Sequence, residues 1–332
     1  MSHNIEIING QARMAYAGEL PWHGLGVKVD SNLTPEQMLV AADLDWKVEK
    51  RPLFYFPNPD TLNDDEHISL NDRTIVPKKM ALVRTSDEAL LDVIGDDWNP
   101  LQNSEAFEFF ADFVEEGGME MHTAGALEGG RRVWALAKVN ESFDAMPGDR
   151  IDQYLLFSNP HKYGMSIDVR MTPIRVVCNN TLTVALNIAA RSMVKVNHRR
   201  LFDATVVKEM LGIAQEKLTI YKGAAKFLAS KNYTQKTVKD YFTTVFPHHS
   251  LRAQNDNELS RNATTALTIL ETQPGADLAG GTWWNAFNTV TYMTDHMLGR
   301  TADTRLTSSW FGINKKKKDV ALATAMQYAE AA

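Results

Sequence analysis

The stretch Ile151–Leu186 constrains the fold most. It reads IDQYLLFSNPHKYGMSIDVRMTPIRVVCNNTLTVAL, in which two β-rich runs flank a turn at Ser158–Gly164. The second run passes through Pro173 and is expected to enter a helix opened by Asn179, Asn180 and Thr181. The stretch also holds the only cysteine of the chain, Cys178. The rest of the chain is expected to be organised around it.

The sign of the charge changes at this point. Residues 1–161 carry 13 basic and 28 acidic side chains, a balance of −15. Residues 162–236 carry 13 basic and 4 acidic, a balance of +9, and the remainder is neutral, which returns the total of −6. Such segregation creates a local field that attracts polyanions even in a net acidic protein. The alternative is that the acidic part neutralises the basic part, within one subunit or between two.

Upstream, Thr34-Pro35-Glu36 is a helix start, with Thr34 as N-cap and Pro35 at the first helical position. Asp45–Phe56 alternates as a strand, and Pro52 argues for an edge position or a bulge. Lys79–Arg84 and Ala89–Gly95 read as a hairpin. Asn103–Glu116 carries an apolar face at helical spacing and stops at Gly117-Gly118. A second hairpin joins Gly118–Ala126 to Arg131–Val139, with Val133, Ala135 and Ala137 on one face and Arg132, Trp134, Leu136 and Lys138 on the other. Asn140–Arg150 reads as a polar connection.

Downstream the pattern turns helical. Val207, Leu211, Ala214, Leu218, Tyr221, Ala225 and Leu228 form a three-heptad seam, suited to a helix pair within the fold or between subunits. Further helices are predicted over Gln235–Val245, Glu258–Glu271, Thr282–Leu298 and Lys316–Ala329. The fold class predicted is therefore α+β: an N-terminal antiparallel sheet with packed helices, followed by a mostly helical C-terminal half. The domain division predicted is an α+β domain over 1–190 with a helical region over 191–332 packed on it.

Enzyme signatures are missing rather than ambiguous. There is no Walker lysine loop, no Gly-x-Gly-x-x-Gly after a strand and no Gly-x-Ser-x-Gly elbow. His161, His198 and His248-His249 lack the spacing of a metal site, so neither a metal nor a cofactor is expected. Cys178 follows Val176-Val177, the profile of a buried thiol, although the helix start expected at Asn179 would lower its pKa. A lone cysteine suits a reducing cytoplasm. The start MSHNIEIING has no signal-peptide pattern, and no run reaches the roughly 18 apolar residues of a membrane span.

The basic residues define the candidate site. Arg170 and Arg175 sit near a strand end, followed by Arg191, Lys195, Arg199 and Arg200, with Arg132 and Lys162 as further members. Guanidinium and ammonium groups at this density suit a phosphate backbone bound without sequence preference. Tyr154, Phe157, Tyr163 and Phe202 are close enough in sequence to stack on unpaired bases. The opposing reading is a solvated face over core aromatics.

PWHGLG, LTPEQMLVAADLDWKVEKRPL, WNPLQNSEAFEFF, GGRRVWALAKV, TPIRVVCNNTL, GTWWNAFNTVTYMTDH and SSWFG together resemble the phage/plasmid-like proteins of a large domain-of-unknown-function family. The resemblance runs from residue 21 to about 325. It implies a phage or mobile-element protein in the host bacterial cytoplasm, and supplies no catalytic residues. The element order of residues 34–140 is also loosely similar to ring-forming single-strand annealing proteins of phage recombination, an analogy of fold only. The leading expectation is a non-enzymatic homo-oligomer, which that analogy would make a ring, that binds single-stranded DNA through the basic region and promotes annealing. The alternatives are a nucleotide-binding protein or enzyme with a pocket near Cys178, Asn179 and His161, acting on nucleotides or host defence signals, and a structural assembly protein.

Overall fold

The structure is a computed structural model that describes residues 5–18, 24–56, 58, 69, 72–116, 118–175, 180–181, 193–248, 250, 258–299 and 302–332. The chain opens with a tight hairpin, β1 (Ile7–Ile8) and β2 (Gln11–Ala12), turning at Asn9 and Gly10. β3 (Met14–Ala17) follows, and β4 (Val27–Val29) returns beside it in the same direction. Gly26 makes that approach feasible. Its φ is +107°, and a Cβ there would meet the carbonyl oxygen of Met14 at 3.1 Å and the Tyr16 ring at 3.2 Å.

α1 (Pro35–Ala41) is capped as the sequence predicts, with Thr34 and Gln37 forming a reciprocal capping box. A three-stranded antiparallel sheet comes next: β5 (Val48–Tyr55), β6 (Thr74–Arg84) and β7 (Ala89–Gly95). Pro52 lies on its edge strand, where the register shifts. The single helix predicted over Asn103–Glu116 is two, α2 (Asn103–Glu108) and α3 (Ala111–Glu115). Between them Phe110 N–H bonds the carbonyl of Phe107, a tightened turn at which Phe109 and Phe110 are both buried.

The framework is the meander β8 (Met119–Leu127), β9 (Arg132–Asp144), β10 (Arg150–Pro160) and β11 (Ile167–Arg175). The central hairpin of the sequence is there, in the register Ile151↔Arg175 to Ser158↔Asp168. The predicted polar connection Asn140–Arg150 is mostly strand, because Ser142, Phe143 and Asp144 continue to pair with β10. The residues predicted to open a helix instead include β12 (Asn180–Thr181), paired with Ile174 and Arg175. β13 (Met193–Val196) lies on the other half of β11.

The predicted fold class needs correction. The large sheet has eight strands, seven in the order β12-β11-β10-β9-β8-β3-β4 with β13 also on β11. It is mixed rather than antiparallel, since β3 and β4 run parallel. Helices are distributed along the chain, with α1, α2 and α3 lying between β4 and β8, and the sheet recruits β13 from beyond residue 190. The protein is thus mixed α/β, with one large and two small sheets. Short strands such as VKV acquire their partner from tertiary pairing, which local pattern does not encode.

Beyond β13 the chain forms α4 (Ala204–Ser230), α5 (Gln235–Val245), α6 (Arg261–Ile269), α7 (Trp283–Tyr292) with a π-helical extension Met293–Met297, α8 (Ala302–Phe311) and α9 (Ile313–Glu330). α4 links two cores. Val207 packs into the core against the large sheet, while Tyr221, Ala225 and Leu228 enter a helical core built around α7. α7 is buried on every side, so its polar side chains bond inward: Asn285 donates to the Leu270 carbonyl and Trp284 Nε1 to Asp149. Lys318 and Asp295 form a buried ion pair at 2.8 Å beside the π-helix. Among the described residues no helix is long and apolar enough to cross a membrane.

Candidate functional site

Alternation along β9 places Val133, Ala135 and Ala137 on one face of the large sheet and Arg132, Trp134 and Leu136 on the other, as the sequence predicts. The first face packs on α1, α2 and the three-stranded sheet. The second carries a small cluster, Ile5, Met14, Leu127, Trp134, Leu136, Tyr154 and Leu156, against which Trp310 and Phe311 of α8 pack. Cross-strand register continues this second face outward. Trp134 lies opposite Ser158, Ser158 opposite Asp168 and Asp168 opposite Lys195; Leu136 is likewise followed by Leu156, Arg170 and Met193.

Here two arginines converge on one ring. The guanidinium carbons of Arg132 and Arg170 lie 4.1 and 4.9 Å from the Phe311 ring centre. Both side chains are buried, with residue exposures of 6 % and 7 %. Arg170 Nη2 is 3.2 Å from Asp168 Oδ2, and Arg132 Nη2 donates to Met165 Sδ at 2.9 Å. Arg132 Nε, Arg170 Nε and Nη2, and Asp168 Oδ1 are buried without a hydrogen-bond partner. A buried polar group left unpaired costs about 1–3 kcal/mol, and more when charged. Buried charged groups left unpaired in this way mark a candidate ligand site.

Electrostatics agree with the geometry. Burial lowers the pKa of both guanidinium groups, Arg132 being partly compensated by Glu128 and Asp168. They remain cations all the same. Burial likewise pushes the Asp168 carboxyl up, against the opposing pull of Arg170, Lys195, Arg132 and Lys315. Four cations thus act on Asp168, while Glu128 also acts on Arg132 and Asp319 on Arg170, and Lys315 pairs with Asp319 at 2.7 Å.

The other sequence-predicted residues disperse. Lys162 pairs with Glu128 at 3.0 Å, and Arg199 with Asp97 at 3.2 Å. Lys195 and Arg200 are exposed, on β13 and in the turn after it. Arg175 ends β11, and its side chain lies outside the described residues, as do Arg191, Cys178 and Asn179 entirely. Of the aromatics proposed to stack on bases, Tyr154 and Phe157 are buried, Phe202 packs at T-shaped angles on Phe109 and Phe157, and Tyr163 alone is well exposed.

His161 is wholly buried on the opposite face. It tilts against Trp46, its Nε2 lies 2.9 Å from Asn103 Oδ1, and burial depresses its pKa to about 3. Sequence reasoning missed Asp168, Met165, Phe311 and Lys315. The Asp-x-Arg spacing of Asp168 and Arg170 on one strand face was a usable signal for the first, and SSWFG marked Phe311 without disclosing its role.

At the other end of the same face, Asp152 receives Lys138 Nζ at 2.7 Å and Arg150 Nε at 2.8 Å. Burial alone would raise Asp152, but those two bonds hold its carboxyl below the ordinary range. This trio is internally satisfied and offers a ligand little. Among the described residues no group of three or more His, Cys, Asp or Glu side chains could hold a metal ion.

Residues 90–317 match the family model described as Domain of unknown function (DUF932). No curated protein and no solved structure matches the chain.

Proposed function

The chain belongs to the DUF932 family, and on that premise we propose that it binds single-stranded DNA at the β11–β13 edge of the large sheet. The setting we propose is that of a phage or mobile-element protein in a bacterial cytoplasm. One observation carries the reading: Arg132 and Arg170 are buried beside Asp168 with N–H groups that no acceptor meets. Exposed Lys195 and Arg200 supply the approach. Unsatisfied guanidinium donors seek a multivalent oxyanion, and phosphate is the one that guanidinium geometry fits best.

This narrows the basic region expected from sequence. Two buried arginines, two exposed cations and two cations already paired with Glu128 and Asp97 make a localised anchor, not a long groove. Bases are then held weakly, which suits sequence-independent binding. Fluorescence anisotropy on labelled single strands across a salt series tests the proposal. Affinity is expected at low salt and is expected to fall as salt rises. Absence of binding at low salt rejects it.

A further inference from the structure

We propose that Arg132 and Arg170 receive a terminal phosphomonoester, so that the protein recognises phosphorylated strand ends. The inference rests on the single-strand reading above and narrows it to one part of the strand.

The argument is steric and electrostatic. An internal phosphodiester has a nucleotide on either side, so burying it as deeply as these guanidinium groups are buried would drag both flanking sugars into the sheet face. A terminal phosphate has one substituent and can enter end-on. It also carries about −1.5 to −2 charges at neutral pH, against one for a diester. Two guanidinium groups facing one ring match that dianion, and their unbonded N–H groups supply donors that Asp168 leaves unused. Bidentate arginine–phosphate contacts are among the strongest charge-assisted hydrogen bonds.

Phe311 occupies the place of the ligand. Its π face presents negative potential to both cations, as an anion in that place would. It is the last residue of α8, followed by Gly312, where a Cβ would sit 2.9 Å from Ser308 Cα. The helix therefore breaks sharply behind the ring. Asn314, two residues on, is tied to the carbonyls of Thr294 and Leu298. With the backbone fixed there, rotation of the half-buried ring is the motion that admits the phosphate.

The test uses the full-length protein and three internally labelled oligonucleotides of one sequence, ending in a 5′-phosphate, a 3′-phosphate or hydroxyls at both ends. One phosphorylated strand is expected to bind on the order of tenfold tighter than the hydroxyl strand, and Arg170→Lys is expected to erase that difference while near-ultraviolet dichroism shows the fold intact. Equal binding of all three strands by the wild-type protein overturns the inference and leaves the single-strand reading standing. If no strand binds, thymidine monophosphate separates the two. A rise in melting temperature that Arg170→Lys abolishes supports the phosphomonoester site and rejects the single-strand reading. No rise rejects both.

Discussion

The large sheet has two faces built by the same strand alternation and used in opposite ways. One carries Ala124, Val133, Ala135, Leu155, Phe157 and Val169 and meets Phe107, Phe109 and Phe110 in a continuous apolar layer. The other carries Trp134, Leu136 and Leu156, and then gives way to Arg132, Asp168 and Arg170 under Phe311. Polar groups on the first face are neutral: Asn103 donates to the Leu44 carbonyl and Asn159 to the Leu101 carbonyl, while Asn159 Oδ1, His161 Nδ1 and Trp46 Nε1 lack partners. On the second, guanidinium nitrogens are left open. The difference is between a neutral apolar core and a face that buries charge.

The largest expected effect falls on the apolar face. Phe157→Ala removes a buried ring that touches Phe109, Phe110 and Phe202 and is expected to cost about 3–5 kcal/mol in urea unfolding. A loss below about 1 kcal/mol would mean that this face is not the main core.

Acid acts on both faces through histidine. Burial depresses His161 to about 3 and, with help from Lys138, His122 to about 4. Both are neutral when folded and protonate when unfolded, so their contribution is present above about 6.5 and is lost as pH falls through the folded values. The two histidines together are expected to lower stability by about 6 kcal/mol between pH 7 and pH 4, about 3 from each, and His161→Asn is expected to remove about half of that decline. Urea midpoints at pH 7, 5.5 and 4 read this directly, and identical slopes for both proteins would contradict it.

The arginine face should behave in the opposite sense. Replacing Arg170 by Met together with Asp168 by Leu removes a buried ion pair whole, and such replacements are often neutral or mildly stabilising when the volume is kept. Melting is expected to change little, within about 1 kcal/mol, while single-strand affinity drops on the order of tenfold. A large stability loss with unchanged affinity would make the pair structural and erase the contrast.

The smallest effect is expected at the rim. Lys195→Ala is expected to weaken all strands alike and to reduce the salt slope by about one, measured by anisotropy at several salt concentrations.

Sequence disclosed the strand framework better than its assembly. The Ile151–Arg175 hairpin, the two faces of β9 and the Thr34 cap were legible because alternation and capping are local. The parallel β3–β4 pair and the β13–β11 pairing were not, since both depend on partners distant in sequence. Asn180-Thr181 has the composition of a helix start and becomes a strand for the same reason. Charge asymmetry pointed to Arg170 and strand alternation to Arg132, but neither disclosed their burial, because the covering ring arrives from α8, far along the chain.

The most direct test observes the two arginines themselves. With ¹⁵N-labelled arginine, the Nε–H resonances of Arg132 and Arg170 can be followed as a phosphorylated single strand is added at low salt, with binding read by anisotropy in the same samples. Both resonances are expected to shift and to saturate together with binding. Binding that saturates while both resonances stay in place would contradict the claim that this pair is where the strand is held.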